Sequence, residues 1–529
     1  MRVLLLYPRF PKSFWSFEQA VRLMGRRAFL PPLGLITVAA LLPQTWEFRL
    51  VDHNVSELTE ADWDWAELVM LSGMIVQKPD MLAQIAEAQR RGKKVAVGGP
   101  YPTSIPEDFE GVDYRILDEG EMTLPLFVEA IAQGAPSGIF RSTEKPDVTH
   151  TPIPRFDLLD MNAYAMMSVQ FSRGCPFQCE FCDIIVLYGR KPRTKEPAQL
   201  LAELERLFEL GWRGAVFMVD DNFIGNKRNV KRLLAELRPW MVEHGYPFSF
   251  NTEASVDLAQ DQDMMDAMVA CNFGSIFVGI ETPDEDSLAV TKKFQNTRDP
   301  LKESIYKIQS SGIRVMAGFI VGFDGEKKGA GDRVVEFVEQ AAIPLATFSM
   351  LQALPDTALS HRLAKEGRLL HSAGDINQTT LLNFIPTRPI EDIAQEYVRG
   401  FWNLYDPQKF LDRTYRCYRI LGQANFPKKE KKAQKPFDWQ IVKAALLIFW
   451  QQGVVRKTRW TFWPYLVQML RHNRGGVLSY LTICGQIEHF LEYRQLVKDN
   501  IEAQLAAYLA EQAELQRSAP QAALAKAVS

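Results

Sequence analysis

The chain has few of the residues that build disulfide frameworks or histidine-rich metal sites, with six cysteines and seven histidines in 529 residues. So few cysteines in so long a chain argue against a disulfide scaffold and suit a reducing compartment. The histidines form no His-x3-His pair, and the sequence has no metal-hydrolase motif. No apolar run reaches the eighteen or so residues of a membrane span. The net charge of -3 gives no case for a nucleic-acid partner.

The bulk composition is that of an ordinary globular protein, with 24% charged and 47% hydrophobic residues. A chain of this length is long enough for two to four domains. The apolar stretch in its first eight residues is too short for a signal peptide and instead predicts a first strand. We therefore expect a cytoplasmic location. A stretch rich in Pro, Ser and Thr reads as a linker over residues 136–165, between a domain at 1–135 and a second at 166–385.

The most informative feature is a short run that contains Cys175, Cys179 and Cys182 with the spacing Cys-x3-Cys-x2-Cys. Three thiolates on one loop can hold three irons of a 4Fe–4S cluster and leave the fourth iron without a protein ligand. A structural zinc site would need a fourth Cys or His nearby, and none follows within the next sixty residues. The run resembles the cluster motif of the radical S-adenosylmethionine (SAM) superfamily. The resemblance implies that the open iron binds SAM and that these three cysteines are the metal ligands on which catalysis depends.

The first 135 residues alternate strand-like apolar runs with helical stretches. This alternation predicts a parallel sheet covered by helices, with ligands at the carboxyl ends of the strands. Two of the loops after these strands are small and glycine-rich, Ser72-Gly73-Met74 and Gly98-Gly99-Pro100. Such glycines let the backbone approach a large flat ligand closely. The alternative is a Rossmann-like domain that binds a nucleotide or nothing, although no Gly-x-Gly-x-x-Gly motif is present.

These loops resemble the cobalamin-binding domain that precedes many radical SAM enzymes. The resemblance implies contacts to the nucleotide tail and corrin of cobalamin from Ser72, Met74, Gly98, Gly99 and Pro100. The sequence departs from the family's Asp-x-His-x-x-Gly motif, because Ser56 stands where the glycine after His53 would be. We therefore expect His53 to be a loop histidine, and the lower face of the cobalt to be unligated or to bind water.

Strands and helices alternate again through six β/α units between residues 166 and 385, which matches the partial (β/α)6 barrel of the radical SAM fold. Polar residues follow several of the strands, where the loops line the mouth of such a barrel. The resemblance implies that Phe181 packs on the adenine of SAM and that Asp220 and Asp221 lie near its amine. It places Glu253 and Glu281 where the family touches the ribose or amine. The alternative is that these acids cap the following helices.

From residue 386 the sequence predicts a mostly helical domain that extends to 505 and is followed by a tail at 506–529. Residues 427–476 hold eleven Lys or Arg against two acids, interleaved with Trp, Phe and Tyr. This pattern suits a peripheral contact with the inner membrane, where Lys and Arg meet anionic headgroups. The alternative is a solvated helical face beside a buried aromatic core.

The whole chain resembles the cobalamin-dependent radical SAM proteins, and residues 182–195 are similar to the group that contains the bacterial hopanoid C-2 methylases. We therefore expect an α/β fold with a Rossmann-like cobalamin-binding domain, a radical SAM barrel and a helical C-terminal domain.

The resemblance implies a methyltransferase with a 4Fe–4S cluster, SAM and cobalamin. Methylcobalamin would methylate an unactivated carbon of a small-molecule or lipid substrate such as a hopanoid. An electron donor such as flavodoxin or ferredoxin is implied. The alternatives are an oxidative cyclase or ring-rearranging enzyme, and a corrin- or redox-sensing binding protein.

Overall fold

The N-terminal part of the protein is a parallel sheet flanked by helices. The structure is a computed structural model that describes residues 1–290, 292–370, 376–424 and 439–528. The elements of this first part are β1 (Arg2–Tyr7), α1 (Glu18–Leu23), α2 (Leu33–Leu41), β2 (Glu47–Asp52), α3 (Glu60–Trp65), β3 (Leu68–Ser72), α4 (Lys78–Arg90), β4 (Lys94–Gly98), α5 (Pro100–Ser104), β5 (Tyr114–Ile116), α6 (Gly120–Ala132) and β6 (Gly138–Phe140). The strand order is β2-β1-β3-β4-β5-β6, and β6 lies within the range predicted as a linker.

Successive residues of the central strands pack on opposite faces of this sheet, as the two-residue period of a strand requires. On β1, Leu4 and Leu6 belong to the core that includes Trp63 of α3 and Met81 of α4. Val3 and Leu5 belong to the core on the other face, beneath α2 and α6. The strands read as continuous apolar runs because both faces are covered.

The central part is a second parallel sheet, curved into an open barrel. Its elements are β7 (Met166–Val169), β8 (Ser172–Arg173), α7 (Ile184–Leu187), β9 (Arg193–Thr194), α8 (Pro197–Glu209), β10 (Ala215–Met218), α9 (Lys227–Glu243), β11 (Ser249–Glu253), α10 (Gln262–Ala270), β12 (Phe273–Glu281), α11 (Glu285–Val290), α12 (Leu301–Ser310), β13 (Arg314–Val321), α13 (Ala330–Gln340), β14 (Leu345–Met350) and α14 (Ala358–Lys365). The order β14-β13-β12-β11-β10-β7 confirms the six predicted units, while β8 and β9 form a small antiparallel pair beside the barrel.

Part of the N-terminal segment enters the barrel. The ring of Trp15, between β1 and α1, lies edge-on to that of Phe277 of β12 with 5.2 Å between the ring centroids. The neighbouring Phe14 N–H donates to the side-chain oxygen of Gln378 over 3.2 Å. The first domain therefore contributes directly to the wall of the barrel lumen.

The C-terminal helices close the end of the barrel at which the strands begin. They are α15 (Ile390–Leu404), α16 (Pro407–Leu421), α17 (Trp439–Trp450), α18 (Arg459–His472), α19 (Val477–Gly485) and α20 (Ile487–Val528). The Tyr405 hydroxyl, at the end of α15, donates to the Ala346 carbonyl of β14 over 2.7 Å. The predicted basic residues between 428 and 435 lie outside the described residues. Among the described helices, none combines the length and hydropathy needed to cross a bilayer.

Candidate active site

The three cysteines lie on the loop between β8 and α7, and glycine is required at its start. Gly174 has φ +92°, and a Cβ at this position would lie 2.8 Å from the carbonyl oxygen of Gly189. The Gly174 N–H donates to the Asp221 carboxylate over 2.8 Å. The loop is therefore fixed from inside the barrel, directly before Cys175.

Asp220 holds the same loop one step earlier in the chain. Its carboxylate accepts hydrogen bonds of 2.8 Å from the backbone N–H groups of Phe171 and Ser172, and one of 2.7 Å from the Ser172 hydroxyl. Burial raises the pKa of Asp220 to about 7, although these hydrogen bonds act in the opposite direction. Asp220 thus supports the cluster loop, whereas Asp221 also lines the central cavity.

The thiol groups of the loop are largely shielded from water. Burial raises the pKa of both Cys175 and Cys182, and a metal that bound them would replace the thiol protons. Within the described ranges, no three His, Cys, Asp or Glu side chains are close enough to share one metal ion. Cysteines that bind different corners of an iron–sulfur cube do not need to meet at a single ion. The loop therefore fits a cluster.

Two polar residues near the thiols were not found from the sequence. The Gln295 side-chain amide lies 3.8 Å from the sulfur of Cys179, as a hydrogen-bond donor. The Lys293 ammonium lies 5.9 Å from the ring centroid of Phe181 and pairs with Glu281. Hydrogen bonds to cysteine sulfur and nearby charges tune the potential of an iron–sulfur cluster. Glu281 thus has a cationic partner in the protein itself.

Asp221 and Glu253 are half-buried acids on neighbouring strand ends, and both line the cavity. Burial and the nearby carboxylates raise the pKa of Asp221 to about 6 and that of Glu253 to about 8. Among the described residues, Glu253 has no ion pair or hydrogen bond through its side chain. Acids with raised pKa values form a favourable site for a cation. SAM carries an ammonium and a sulfonium, and these two side chains therefore fit it.

A buried charge network joins the N-terminal domain to the cluster loop. Arg173, immediately before Gly174, donates to Glu119 over 3.0 Å and to Glu121 over 2.9 Å. Arg193 of β9 donates to Glu119 over 2.8 Å. Only about 3% of the Glu119 side chain and 13% of each arginine are exposed. No sequence motif predicted that these residues would meet, because the contact depends on how the two domains pack.

The predicted cobalamin loops lie together at the carboxyl edge of the first sheet. Gly99 has φ +90°, and a Cβ there would collide with the Ser72 hydroxyl. The Gly98 Cβ would lie 2.8 Å from the Ile116 carbonyl. The two loops can therefore approach each other closely only with glycine at position 99, whereas glycine at position 98 allows the close approach of β5. Met74 and Pro100 also line the cavity.

A channel continues from these loops between α2 and α6. Gly34 has no atom within 4 Å of the position its Cβ would take, so its surface faces open space. The walls of the channel are Gly34, Val38, Leu41, Met70, Ala96 and Leu124. A cradle at the strand ends with an apolar channel beneath it fits a corrin ring with its nucleotide tail. His53 lies beside this cradle, and its Nδ1 atom is 3.1 Å from the Asp80 carboxylate. That His53 does not bind the cobalt stays a prediction.

One continuous cavity of about 1720 Å³ connects these regions. It extends from the loops of the first sheet, past Asp221 and Glu253, through the barrel lumen to α19. A single drug-sized ligand occupies about 300–1,000 Å³. The cavity therefore has room for more than one large molecule, with the cofactor regions at one end of the lumen.

Comparisons with known families agree with this arrangement. The B12 binding domain model matches residues 25–128, the Radical SAM superfamily model matches 169–338, and a domain of unknown function, DUF4070, matches 357–503. The chain is 63% identical to an uncharacterized methyltransferase of Synechocystis, covering 97% of this chain and 95% of the relative. It is 35% identical to the hopanoid C-2 methylase of Rhodopseudomonas palustris, covering 93% of each. The chain belongs to the cobalamin-dependent radical SAM methyltransferases.

Solved structures of two radical SAM enzymes share the fold. The cobalamin-dependent radical SAM enzyme OxsB, with aqua-cobalamin and SAM bound, has a TM-score of 0.58 at 15% identity, covering 96% of this chain and 81% of that one. The radical SAM methyltransferase TsrM of Kitasatospora setae has a TM-score of 0.57 at 16% identity, covering 74% and 82%. The comparisons confirm the predicted α/β fold and the enzyme class. They also confirm the three predicted cofactors, which are a 4Fe–4S cluster, SAM and cobalamin.

Proposed function

We propose that this methyltransferase acts on an unactivated carbon of a lipid, and that C-2 of a hopanoid is that carbon. The proposal is supported by the 35% identity to a hopanoid C-2 methylase over 93% of the chain. Other methylases are also similar, including a hopanoid C-3 methylase of Methylococcus capsulatus at 26% over 58% of this chain. The proposal therefore needs an argument from the site itself.

The observation that carries the proposal is the apolar lining of the barrel lumen next to both cofactor regions. The lumen walls include Trp15, Phe217, Phe277, Met316 and Leu345. Burial of apolar surface contributes roughly 25 cal/mol per Å², so such a lumen favours a large apolar body over a polar one. A polycyclic lipid presents this kind of surface.

In the proposed arrangement each group of residues has a distinct task. Cys175, Cys179 and Cys182 hold the cluster, Phe181 packs on the adenine of SAM, and Asp221 and Glu253 bind its cationic groups. Asp220 fixes the cluster loop, and the Glu281–Lys293 pair borders it. The loops that carry Ser72, Met74, Gly98, Gly99 and Pro100 hold the corrin. When bound, the cluster with SAM supplies a radical that removes hydrogen from carbon, and cobalamin carries the methyl group.

We also propose that the domain boundaries lie at residues 135, 165, 385 and 505.

We propose flavodoxin or ferredoxin as the electron donor. A one-electron donor is required because reductive cleavage of SAM consumes an electron. The enzyme reconstituted with either donor system should form 5′-deoxyadenosine. Failure of both, with cleavage retained under a chemical reductant, would contradict this assignment.

The test of the main proposal is an anaerobic incubation of the reconstituted enzyme with reductant, methyl-labelled SAM and a hopanoid. We expect a labelled C-2 methylated hopanoid together with 5′-deoxyadenosine. The Cys179→Ala variant is the control for chemistry that does not depend on the cluster. If no member of a panel of polycyclic lipids is methylated while SAM is cleaved, the lipid assignment is wrong.

We further propose that α17 and α18 contact an anionic membrane surface. Exposed apolar side chains include Leu446, Trp450, Val455 and Trp460, and 77% of Trp460 is accessible to solvent. The sequence from 439 to 487 has no Asp or Glu and holds Lys443, Arg456, Lys457, Arg459, Arg471 and Arg474. Basic residues beside exposed tryptophan match an interface with anionic headgroups.

Flotation with vesicles tests this contact. The protein should float with vesicles that contain about 30% anionic lipid and remain unbound with neutral vesicles, because each basic residue near the surface contributes about 1 kcal/mol. Replacing Trp450 and Trp460 with Ser should reduce the bound fraction severalfold. The same change at Trp46, which packs within the first domain, is the control. Equal flotation with both vesicle types, or concentration-dependent dimer formation instead, would contradict the contact.

A further inference from the structure

One charged side chain in the barrel lumen is not used by the cofactor sites. Arg314 begins β13 and lines the cavity at the end of the lumen opposite the cluster loop. Its guanidinium is always charged at physiological pH. Met316, two residues along the same face of the strand, lines the apolar part of the lumen. The lumen thus has an apolar middle and a cation at its far end.

The guanidinium lacks acceptors for its hydrogen-bond donors. Nη1 donates to the Tyr418 hydroxyl over 3.1 Å, while Nε is buried without a partner. Within the described part of the chain, no carboxylate lies within ion-pair distance of Arg314. A buried donor without an acceptor is costly, and the half-buried Arg314 side chain borders the cavity with its charge unpaired among the described residues. The site is therefore short of oxygen acceptors.

Hydroxyl groups of the C-terminal domain complete this end of the cavity. The Tyr418 hydroxyl lies 2.6 Å from the Ser479 hydroxyl, and Ser479 lines the cavity with Thr482 of the same helix. These side chains can donate to oxygen atoms or accept from hydroxyl groups. Arg314, Ser479 and Thr482, with Tyr418 hydrogen-bonded behind them, therefore form a polar set at the far end of a largely apolar lumen. Polar side chains at the starts of the neighbouring strands extend this set, namely Ser249, Asn251 and Ser275.

We infer that this set binds the oxygen-bearing tail of an elongated lipid whose apolar body fills the lumen. The inference rests on the proposed lipid substrate and specifies its shape and polarity. Glu281, which borders the cluster loop, pairs in register with Phe319 of β13. Phe319 follows Arg314 by five residues on the same strand. At about 3.3 Å per residue, this separation is roughly 16 Å. A rigid polycyclic body of about that length would place one end at the cofactors and its tail at Arg314.

The test compares two hopanoids with the same ring system. One carries a side chain with several hydroxyl groups, and the other carries a hydrocarbon side chain without oxygen. We expect the reconstituted enzyme to prefer the hydroxylated lipid about 10–100-fold in kcat/KM, because hydrogen bonds to a charged group are strong. Arg314→Met should reduce this preference at least tenfold, and Arg314→Lys should retain part of it.

Arg238→Met, an exposed arginine on the outer helix α9, is the matched control and should leave the preference unchanged. Thermal unfolding checks that each variant folds. If Arg314→Met does not fold, Arg314→Lys, which keeps the positive charge, still tests the inference. Equal use of both lipids by the unaltered enzyme, or an unchanged preference in both folded variants, would overturn the inference alone. If the unaltered enzyme methylates neither hopanoid while cleaving SAM, the proposed function fails and the inference fails with it.

Discussion

The two ends of the barrel lumen differ in how their charged groups are partnered. At the cluster end, Arg173 bonds to Glu119 and Glu121, and Lys293 pairs with Glu281. At the opposite end, Arg314 donates to one neutral hydroxyl and faces no carboxylate among the described residues. The first end is largely assembled by the protein itself, as preorganised catalytic sites are. The second end keeps unsatisfied donors, which is the condition expected where a substrate supplies the acceptors.

The largest effect should come from removing the chemistry at the cluster end. Cys179→Ala deletes one of three thiolate ligands, so the iron content should fall from about four per chain to near zero. Formation of 5′-deoxyadenosine should be lost, as measured by chromatography after anaerobic incubation. Lipid binding at the opposite end should persist if the two ends act independently.

Cys271→Ala is the matched control for that variant. Cys271 is a buried thiol at the end of α10 whose sulfur donates to the Leu234 carbonyl. Its replacement should lower the thermal midpoint slightly and leave both iron content and SAM cleavage in place. SAM cleavage retained by Cys179→Ala would contradict the assignment of the cluster loop.

The second effect concerns the charge network that joins the first domain to the cluster loop. Arg173→Met removes the positive charge that pairs with the carboxylates of Glu119 and Glu121. Removing one partner of a buried ion pair typically lowers the free energy of unfolding by about 3–5 kcal/mol. We expect the thermal midpoint to fall by roughly 6–20 °C, measured by circular dichroism on the cofactor-free protein. Arg228→Met, an exposed arginine of α9, should change it by little. A midpoint unchanged in Arg173→Met would mean that the network does not stabilise the domain contact.

The sequence identified the cluster end of the lumen much better than its opposite end. Cys175, Cys179 and Cys182 are local in the chain, and the glycine-rich loops directly follow strands, so spacing alone predicts their neighbourhood. The six β/α units also follow from local alternation of strands and helices. These features need no knowledge of how distant parts pack.

Contacts between distant segments could not be predicted in this way. Lys293 and Gln295 follow no motif, and Arg173 meets Glu119 across 54 positions. Arg314 reads in the sequence as an ordinary charged start to a strand, and Tyr418 lies 104 positions further along. Only the packing of the C-terminal helices on the barrel brings them together, which periodicity and spacing do not determine.

A smaller effect tests the cobalamin loops that cover the cluster end. Gly99→Ala combines a positive φ with a collision against the Ser72 hydroxyl, so we expect the dissociation constant for cobalamin to rise at least about tenfold. Gly111→Ala is the matched control, because Gly111 has φ +87° and open space around its Cβ position. Spectroscopic titration with cobalamin measures both. Equal affinities in the two variants would contradict a role of the Gly99–Ser72 loop contact in cobalamin binding.

The smallest effect concerns Glu253, which lies at the cofactor end of the lumen. Burial raises the pKa of Glu253 from 4.5 to about 8, so the unfolded chain loses this proton at lower pH than the folded protein does. The contribution of Glu253 to stability therefore falls as pH rises from 4.5 to about 8 and is constant above that. Glu253→Gln removes this pH-dependent penalty.

The thermal midpoint of Glu253→Gln should match that of the unaltered protein near pH 5 and exceed it at pH 8.5. A penalty on the order of 2 kcal/mol corresponds to a rise of roughly 4–8 °C. Glu236→Gln, at an exposed position on α9, should show no such pH dependence. Saturating SAM should reduce the difference, because its cationic groups would stabilise the Glu253 carboxylate. A difference that SAM does not alter would separate Glu253 from the cofactor end and assign it to the substrate side of the lumen.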